Sequence, residues 1–255
     1  MKHLSYRQFK DIFGDLGLTN WVRFNWLGWL YIDDAKLNVK DFQENYSLLE
    51  YIQMTGTQYI DSGKKMLQGF TTHLSIKFTN ASDLTGVNGI VGYEDNRVML
   101  HGGKYGRNDF FYSQLLKWFV GFGGYAKTTE SASINIQYNI EACNVVGKTP
   151  YIKLNGNMLP LIIVDPDNSF RGDNDSPNIE IGRIKELRDG GGVVLTYGKF
   201  RICFIKLFDE NNVLSRHFVS AKRKSDNEVG MYDLANGVFY TNDGTGDFIA
   251  GDVIA

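Results

Sequence analysis

The side chains with chemistry to offer are spread thinly along this chain. Hydrolysis of a glycan takes two carboxylates about 5–9 Å apart, one of them acting as an acid. Residues two apart on a strand share a face, so a strand-borne set would read as Glu-x-Asp-x-x-Glu or a similar pattern. No such run occurs: Glu94 and Asp95 are adjacent, which sends them to opposite faces of a strand, and Glu141, Glu180 and Glu186 are isolated. A serine nucleophile would bring a Gly-x-Ser-x-Gly elbow, which is absent, and Cys143 has no histidine near it in sequence. The chain is therefore read as a non-enzyme.

Binding is the better match to the residue types. A pyranose has an apolar face and a polar edge, so a sugar site combines an aromatic platform with Asn, Asp, Gln or Arg groups. Tyr105, Arg107, Asn108 and Asp109, with Tyr112 and Trp118 close by, supply that mixture. Aromatic-rich strands are equally what a sandwich core is made of, and both readings stand at this level. The acidic loop 165–177 places Asp165, Asp167, Asp173 and Asp175 where several oxygens could meet calcium. It departs from EF-hand spacing, with Phe170 where the sharp turn needs glycine, so no metal or other cofactor is assigned and calcium stays a weak expectation. His3, His73, His101 and His217 are too scattered for a zinc site.

These residues sit on short strands. Leu74, Ile76 and Phe78 alternate with polar neighbours, and Ala132 to Ala142 does the same over a longer run. Tyr151–Leu154, Asn155-Gly156 and the run Asn157 to Ile163 predict a hairpin, because an Asn-Gly step accepts the positive φ angles of a tight turn. The same argument predicts a turn at Asn236-Gly237. Phe200 to Phe208 is apolar on both faces and is expected in the middle of a sheet. Cys203 alternates there with Ile205 and Leu207, so a buried free thiol is expected. The class expected from these patterns is mainly β, an antiparallel sandwich over residues 48–255.

Residues 1–47 differ in character. Tyr6, Phe9 and Phe13 recur at helical intervals, and Trp21, Phe24, Trp26, Trp29 and Tyr31 follow, with three of the four tryptophans of the chain. Buried aromatics dominate interface energies, so these residues are candidates for an anchor into another subunit, or for packing on their own chain. Residues 33–46 read as a polar, partly helical connector.

With 255 residues, 43% of them hydrophobic, there is enough chain for a large core, and a net charge of −2 supplies no general basic field for nucleic acid. The longest apolar run, Trp26 to Ile32, is far short of the roughly 20 residues of a membrane span. No secretory leader is read at the N-terminus, which predicts a product that stays in the cytoplasm where it is made.

Two stretches carry a resemblance. Ala221 to Gly251, AKRKSDNEVGMYDLANGVFYTNDGTGDFIAG, resembles the C-terminal signature of a concanavalin A-like, laminin-G-like jelly-roll family found in gut bacteria and their tailed phages. Leu49 to Gly63, LEYIQMTGTQYIDSG, resembles the mark that opens the same domain. The resemblance implies a virion protein of fibre, appendage or decoration type. In that reading residues 1–47 dock to other virion proteins in many copies or as a homo-oligomer, and the sandwich faces host-surface polysaccharide. It implies as alternatives a stand-alone bacterial carbohydrate-binding protein or a glycan depolymerase.

Overall fold

The period-two alternation builds two large antiparallel sheets and, among the described residues, two separate two-stranded ladders, Leu30–Ile32 with Ala35–Leu37 and Arg183–Leu187 with Val193–Tyr197. The computed structural model describes residues 30–32, 35–37, 42, 44–65, 70–77, 100–101, 110–112, 117–121, 125–131, 133, 135–143, 145, 147–165, 178–187 and 193–254. In chain order the strands are β1 (Leu30–Ile32), β2 (Ala35–Leu37), β3 (Tyr46–Leu48), β4 (Ile52–Thr55), β5 (Ile60–Lys65), β6 (Thr71–Lys77), β7 (Leu100–His101), β8 (Phe110–Tyr112), β9 (Lys117–Gly121), β10 (Tyr125–Ser131) and β11 (Gln137–Cys143). They continue as β12 (Tyr151–Leu154), β13 (Asn157–Met158), β14 (Leu161–Asp165), β15 (Asn178–Ile181), β16 (Arg183–Leu187), β17 (Val193–Tyr197), β18 (Lys199–Phe208), β19 (Leu214–Arg223), β20 (Val229–Asp233), β21 (Val238–Tyr240) and β22 (Ile249–Ala250).

The smaller sheet runs β14-β10-β9-β8-β7-β15-β5 and the larger β13-β12-β11-β6-β18-β19-β20-β21, with β3 beside β19 and β4 bridging β18 to β22. Ile60, Ile179 and Ile181 of the smaller sheet meet Leu74, Ile76, Ile140, Ile152, Ile205 and Phe218 of the larger in one buried cluster. Each such side chain stabilises the fold by about 1.5–3 kcal/mol. A second cluster lies on the opposite side of the large sheet, where Phe42, Leu48, Val219, Ala221, Tyr232 and Leu234 pack together. Phe42, just ahead of β3, is buried against Tyr46 and Tyr232 at ring separations of 5.7 and 5.0 Å.

The apolar strand β18 is central, as its composition predicts: β6 pairs along one side, while β4 and β19 share the other, β4 beside Lys199–Ile202 and β19 beside Phe204–Phe208. Its faces are not divided as simple alternation suggests. The register against β6 shifts between Ile202 and Phe204, so Cys203 leaves the alternation. Ile202, Ile205 and Leu207 join the inter-sheet core, whereas Cys203 is half-buried and its Sγ takes a hydrogen bond from Gln137 Nε2. A bulge is one extra residue, and it reverses the facing of everything before it.

Two further expectations change in detail. Among the described residues of the run 132–142 the strand starts at Gln137, because Asn135 adopts φ 61° and leaves Ile136 44% exposed. The Asn155-Gly156 hairpin forms with both residues at positive φ, but β13 stops at Met158. Pro160 follows, and without an N–H it cannot extend the ladder; the chain then crosses to the other sheet, where β14 pairs with β10. At Asn236-Gly237 only the glycine takes positive φ, at 71°. Asn236 instead turns its amide onto Asp233, whose carbonyl accepts from Gly237 N at 2.8 Å.

The two stretches that carry the resemblance close on each other. Tyr59 N donates to Asn242 Oδ1 at 3.1 Å, Asp61 N to Asp243 Oδ2 at 2.7 Å, and Thr245 N to Thr57 O at 3.1 Å. The buried Gln58 caps the bend at Thr55–Thr57 with its carbonyl and donates through Nε2 to Asp247 O at 3.0 Å. Gly244 lies so near Thr57 O that a Cβ has no room. The motif residues thus satisfy one another's backbone, which any buried polar group requires.

Candidate functional site

Of the sequence candidates, Tyr105, Arg107, Asn108 and Asp109 lie outside the described residues, as do Asp167, Asp173 and Asp175 and the aromatics Tyr6, Phe9, Phe13, Trp21, Phe24, Trp26 and Trp29. Tyr31 lies in β1 opposite Lys36, and Asp165 ends β14 opposite Tyr125. Tyr112 and Trp118 stand directly opposite each other on β8 and β9. Among the described residues no group of three His, Cys, Asp or Glu is placed to hold a metal ion.

A different set converges on the outer face of the large sheet, away from the inter-sheet core. Strand register lines up Lys153 of β12, Glu141 of β11, His73 of β6, Lys206 of β18 and His217 of β19 in one row across five strands. Asn139, Ser75 and Phe204 form the row beside it. Residues opposite each other in an antiparallel ladder share a face, so these side chains stand together because the registers do. They flank a shallow groove of about 180 Å³ bordered by His73, Asn139, Glu141, Lys153, Gly156 and Phe204.

Glu141 is the centre of the polar side. Its Oε1 accepts from Tyr151 Oη at 2.6 Å and from Lys153 Nζ at 2.7 Å. Burial works to raise its pKa, but the hydrogen bonds from Lys153 and Tyr151 and the charges of His73 and Lys153 outweigh that, and the carboxyl is held below its ordinary value of 4.5. Burial and the bond to Glu141 push the Tyr151 phenol well above its usual range, so it remains a donor. Asn139 is oriented by a relay: Gln137 Nε2 donates to Ser75 Oγ at 2.7 Å, and Ser75 Oγ donates to Asn139 Oδ1 at 2.8 Å. That leaves the amide nitrogen as the outward group. Phe204 supplies the apolar border and is itself backed by the second cluster. The buried Lys206 places Nζ 5.3 Å from its ring centroid.

The arrangement suits recognition and not acid catalysis. A glycosidase acid needs a raised pKa, and Glu141 is moved the other way. Glu180, another acid of the sequence survey, is buried in an ion pair with Arg183, whose Nε lies 2.7 Å from Oε2 and whose guanidinium stacks 3.4 Å from the Tyr59 ring centroid. The signal for the groove was present in the polar residues of two alternating strands, Gln137-x-Asn139-x-Glu141 and His73-x-Ser75-x-Lys77, which taken singly look like ordinary wet faces.

No protein-family model and no curated protein matches the chain. Solved structures do. One is the crystal structure of a candidate carbohydrate binding protein from Bacteroides ovatus, 14% identical, with a TM-score of 0.51. The match covers 81% of this chain and 61% of that one, so the chain spans about three fifths of that protein's length. At such identity the likeness is one of fold: an antiparallel β-sandwich.

Proposed function

We propose that the protein is a non-enzymatic carbohydrate-binding β-sandwich, and that sugar sits in the outer-face groove between Lys153 and Phe204. The observation that carries the reading is the groove's composition. An ionised acceptor, Glu141, and an oriented amide, Asn139, stand on one border and an aromatic ring, Phe204, on the other. That is the complement of a pyranose with its polar edge and apolar face. The Bacteroides ovatus structure supports it at the level of fold. The virion placement implied by the resemblance concerns residues 1–47 and bears on where the sandwich is carried, with the task of the groove the same in either setting.

Glycan-array screening of the full chain followed by calorimetry tests the reading. Binding should weaken about three- to tenfold in Asn139→Ala, the scale of one net hydrogen bond of about 0.5–1.5 kcal/mol. Phe204→Leu, which keeps apolar volume and removes the ring face, should weaken it comparably. Absence of binding to every glycan, or binding indifferent to both substitutions, would overturn it.

A further inference from the structure

We infer that the groove takes the end of a glycan chain and not its interior, because residues 42–46 wall it off beyond Phe204. The inference rests on the carbohydrate reading above and specifies which part of the ligand is held. The borders of the groove come from four neighbouring strands, with Lys153 on β12, Asn139 and Glu141 on β11, His73 on β6 and Phe204 on β18, but from no more than three consecutive residues of any one strand. At about 4.8 Å between strands and about 3.4 Å per residue, its long axis crosses the strands for about 14 Å, against about 7 Å along them. A row of sugar rings therefore lies across the sheet, with Phe204 at one end and the β12–β13 turn at the other.

The two ends differ. Register carries the row of Asn139, Ser75 and Phe204 onward to Val219 of β19, Tyr232 of β20 and Phe239 of β21. Val219 and Tyr232 are buried there beneath a roof: the Phe42 ring centroid lies 5.0 Å from that of Tyr232, and Tyr46 lies 4.7 Å from it. Tyr46 continues over Phe239 at 5.1 Å, and the Arg223 guanidinium stands 5.1 Å from the same ring. Backbone bonds fix the roof, since Tyr46–Leu48 pairs with Ala221–Arg223 and Asn45 O accepts from Lys224 N at 2.9 Å. Phe204 packs against this same cluster, so a sugar ring seated on Phe204 meets the wall directly beyond it. At the opposite end Asn155, Gly156, Asn157 and Met158 are all exposed, and a chain leaves freely over the turn. A terminal ring fits such a groove. An internal ring has to drive its continuing chain into the roof or lift off the Phe204 face, and a clash of this kind discriminates as well as an attraction does.

The test measures linear gluco-, galacto- and manno-oligosaccharides of rising length, and the long polysaccharide of the same linkage, by calorimetry on the full chain with ligand concentration counted in chains. Wild type should bind at least one series. Its affinity per chain should level off once the ligand outgrows the groove, so that a tenfold longer chain gains less than about twofold, whereas a groove open at both ends would gain about tenfold from the added internal registers. The double variant Phe42→Ala/Tyr46→Ala removes the roof and should turn the level series into a rising one, with a gain of about threefold or more over the same range. Melting curves establish that the variant is folded, and the wild-type length series decides by itself if it is not. Affinity per chain that climbs with length in wild type, or that stays level in the folded double variant, overturns the inference and leaves the carbohydrate reading standing. If no oligosaccharide or polysaccharide binds, the carbohydrate reading fails and the inference falls with it.

Discussion

Asn242 Oδ1 accepts the amide hydrogen of Tyr59 at 3.1 Å, and its amide nitrogen donates to Gly246 O at 2.5 Å. One side chain thus joins the opening bend of the sandwich to its closing loop, and Gly244 between them lies close against Thr57 O.

Gly244→Ala is expected to cost stability. Its methyl group would collide with the Thr57 carbonyl, a backbone atom with no easy retreat. Overpacking of this kind typically costs about 1–3 kcal/mol, so thermal melting should fall by several degrees. An unchanged melting curve would show that the closing loop shifts freely.

Asp233 carries a second lock. It is fully buried, accepts from His217 N at 2.8 Å, Ala235 N at 3.0 Å and Asn236 Nδ2 at 2.6 Å, and faces Arg216 Nε at 3.5 Å. Removing one partner of a buried ion pair strands the other, so Asp233→Ala should destabilise by about 3–5 kcal/mol in urea unfolding. Asp233→Asn should lie between it and wild type.

Acid should weaken the fold through Glu141. Its folded pKa lies below the ordinary 4.5, so the unfolded chain binds the proton first as pH drops. The stability it contributes is complete above about 4.5 and fades as pH falls through that value and then through the lower folded one. Denaturation midpoints followed into acid should therefore fall less steeply in Glu141→Gln than in wild type, and the difference should shrink in high salt because the group is partly exposed. Parallel acid limbs would refute the assignment.

Both cysteines among the described residues are free, Cys143 buried and Cys203 half-buried. Burial pushes the Cys203 thiol up to about 11 against the bonding influence of Ser75 and Gln137. Thiol reagents at neutral pH should label the native protein slowly and the denatured one quickly, since the thiolate is the reactive form. Fast labelling of Cys203 in the native state would contradict its placement.

Much of the architecture was readable because pleat and side-chain direction are locked together. Leu74 and Ile76 are buried where alternation puts them, and β18 is central because a run apolar on both faces has no wet side to show. What alternation cannot carry is an interruption. Asn135 at positive φ and the extra residue at Cys203 each change the outcome, and neither is marked by composition. The groove was hidden for another reason: Lys153, Glu141, His73 and Phe204 belong to four strands and acquire meaning only through register. The sugar platform sought at Tyr105 to Trp118 relied on nearness in sequence, which places Tyr112 against Trp118 across a ladder and leaves residues 105–109 outside what the structure describes.

The loop that holds Thr57–Asp61 is synthesised more than a hundred residues later than the segment it holds, and β4 likewise waits for β18 and β22. A growing chain therefore cannot complete its sandwich on the ribosome until Asn242 to Val253 have emerged, and contacts of such long range make for slow folding. Nonsense fragments that stop before Asn242 should be open at the opposite end of the polypeptide, where proteases would cut first at the bend around Gly56.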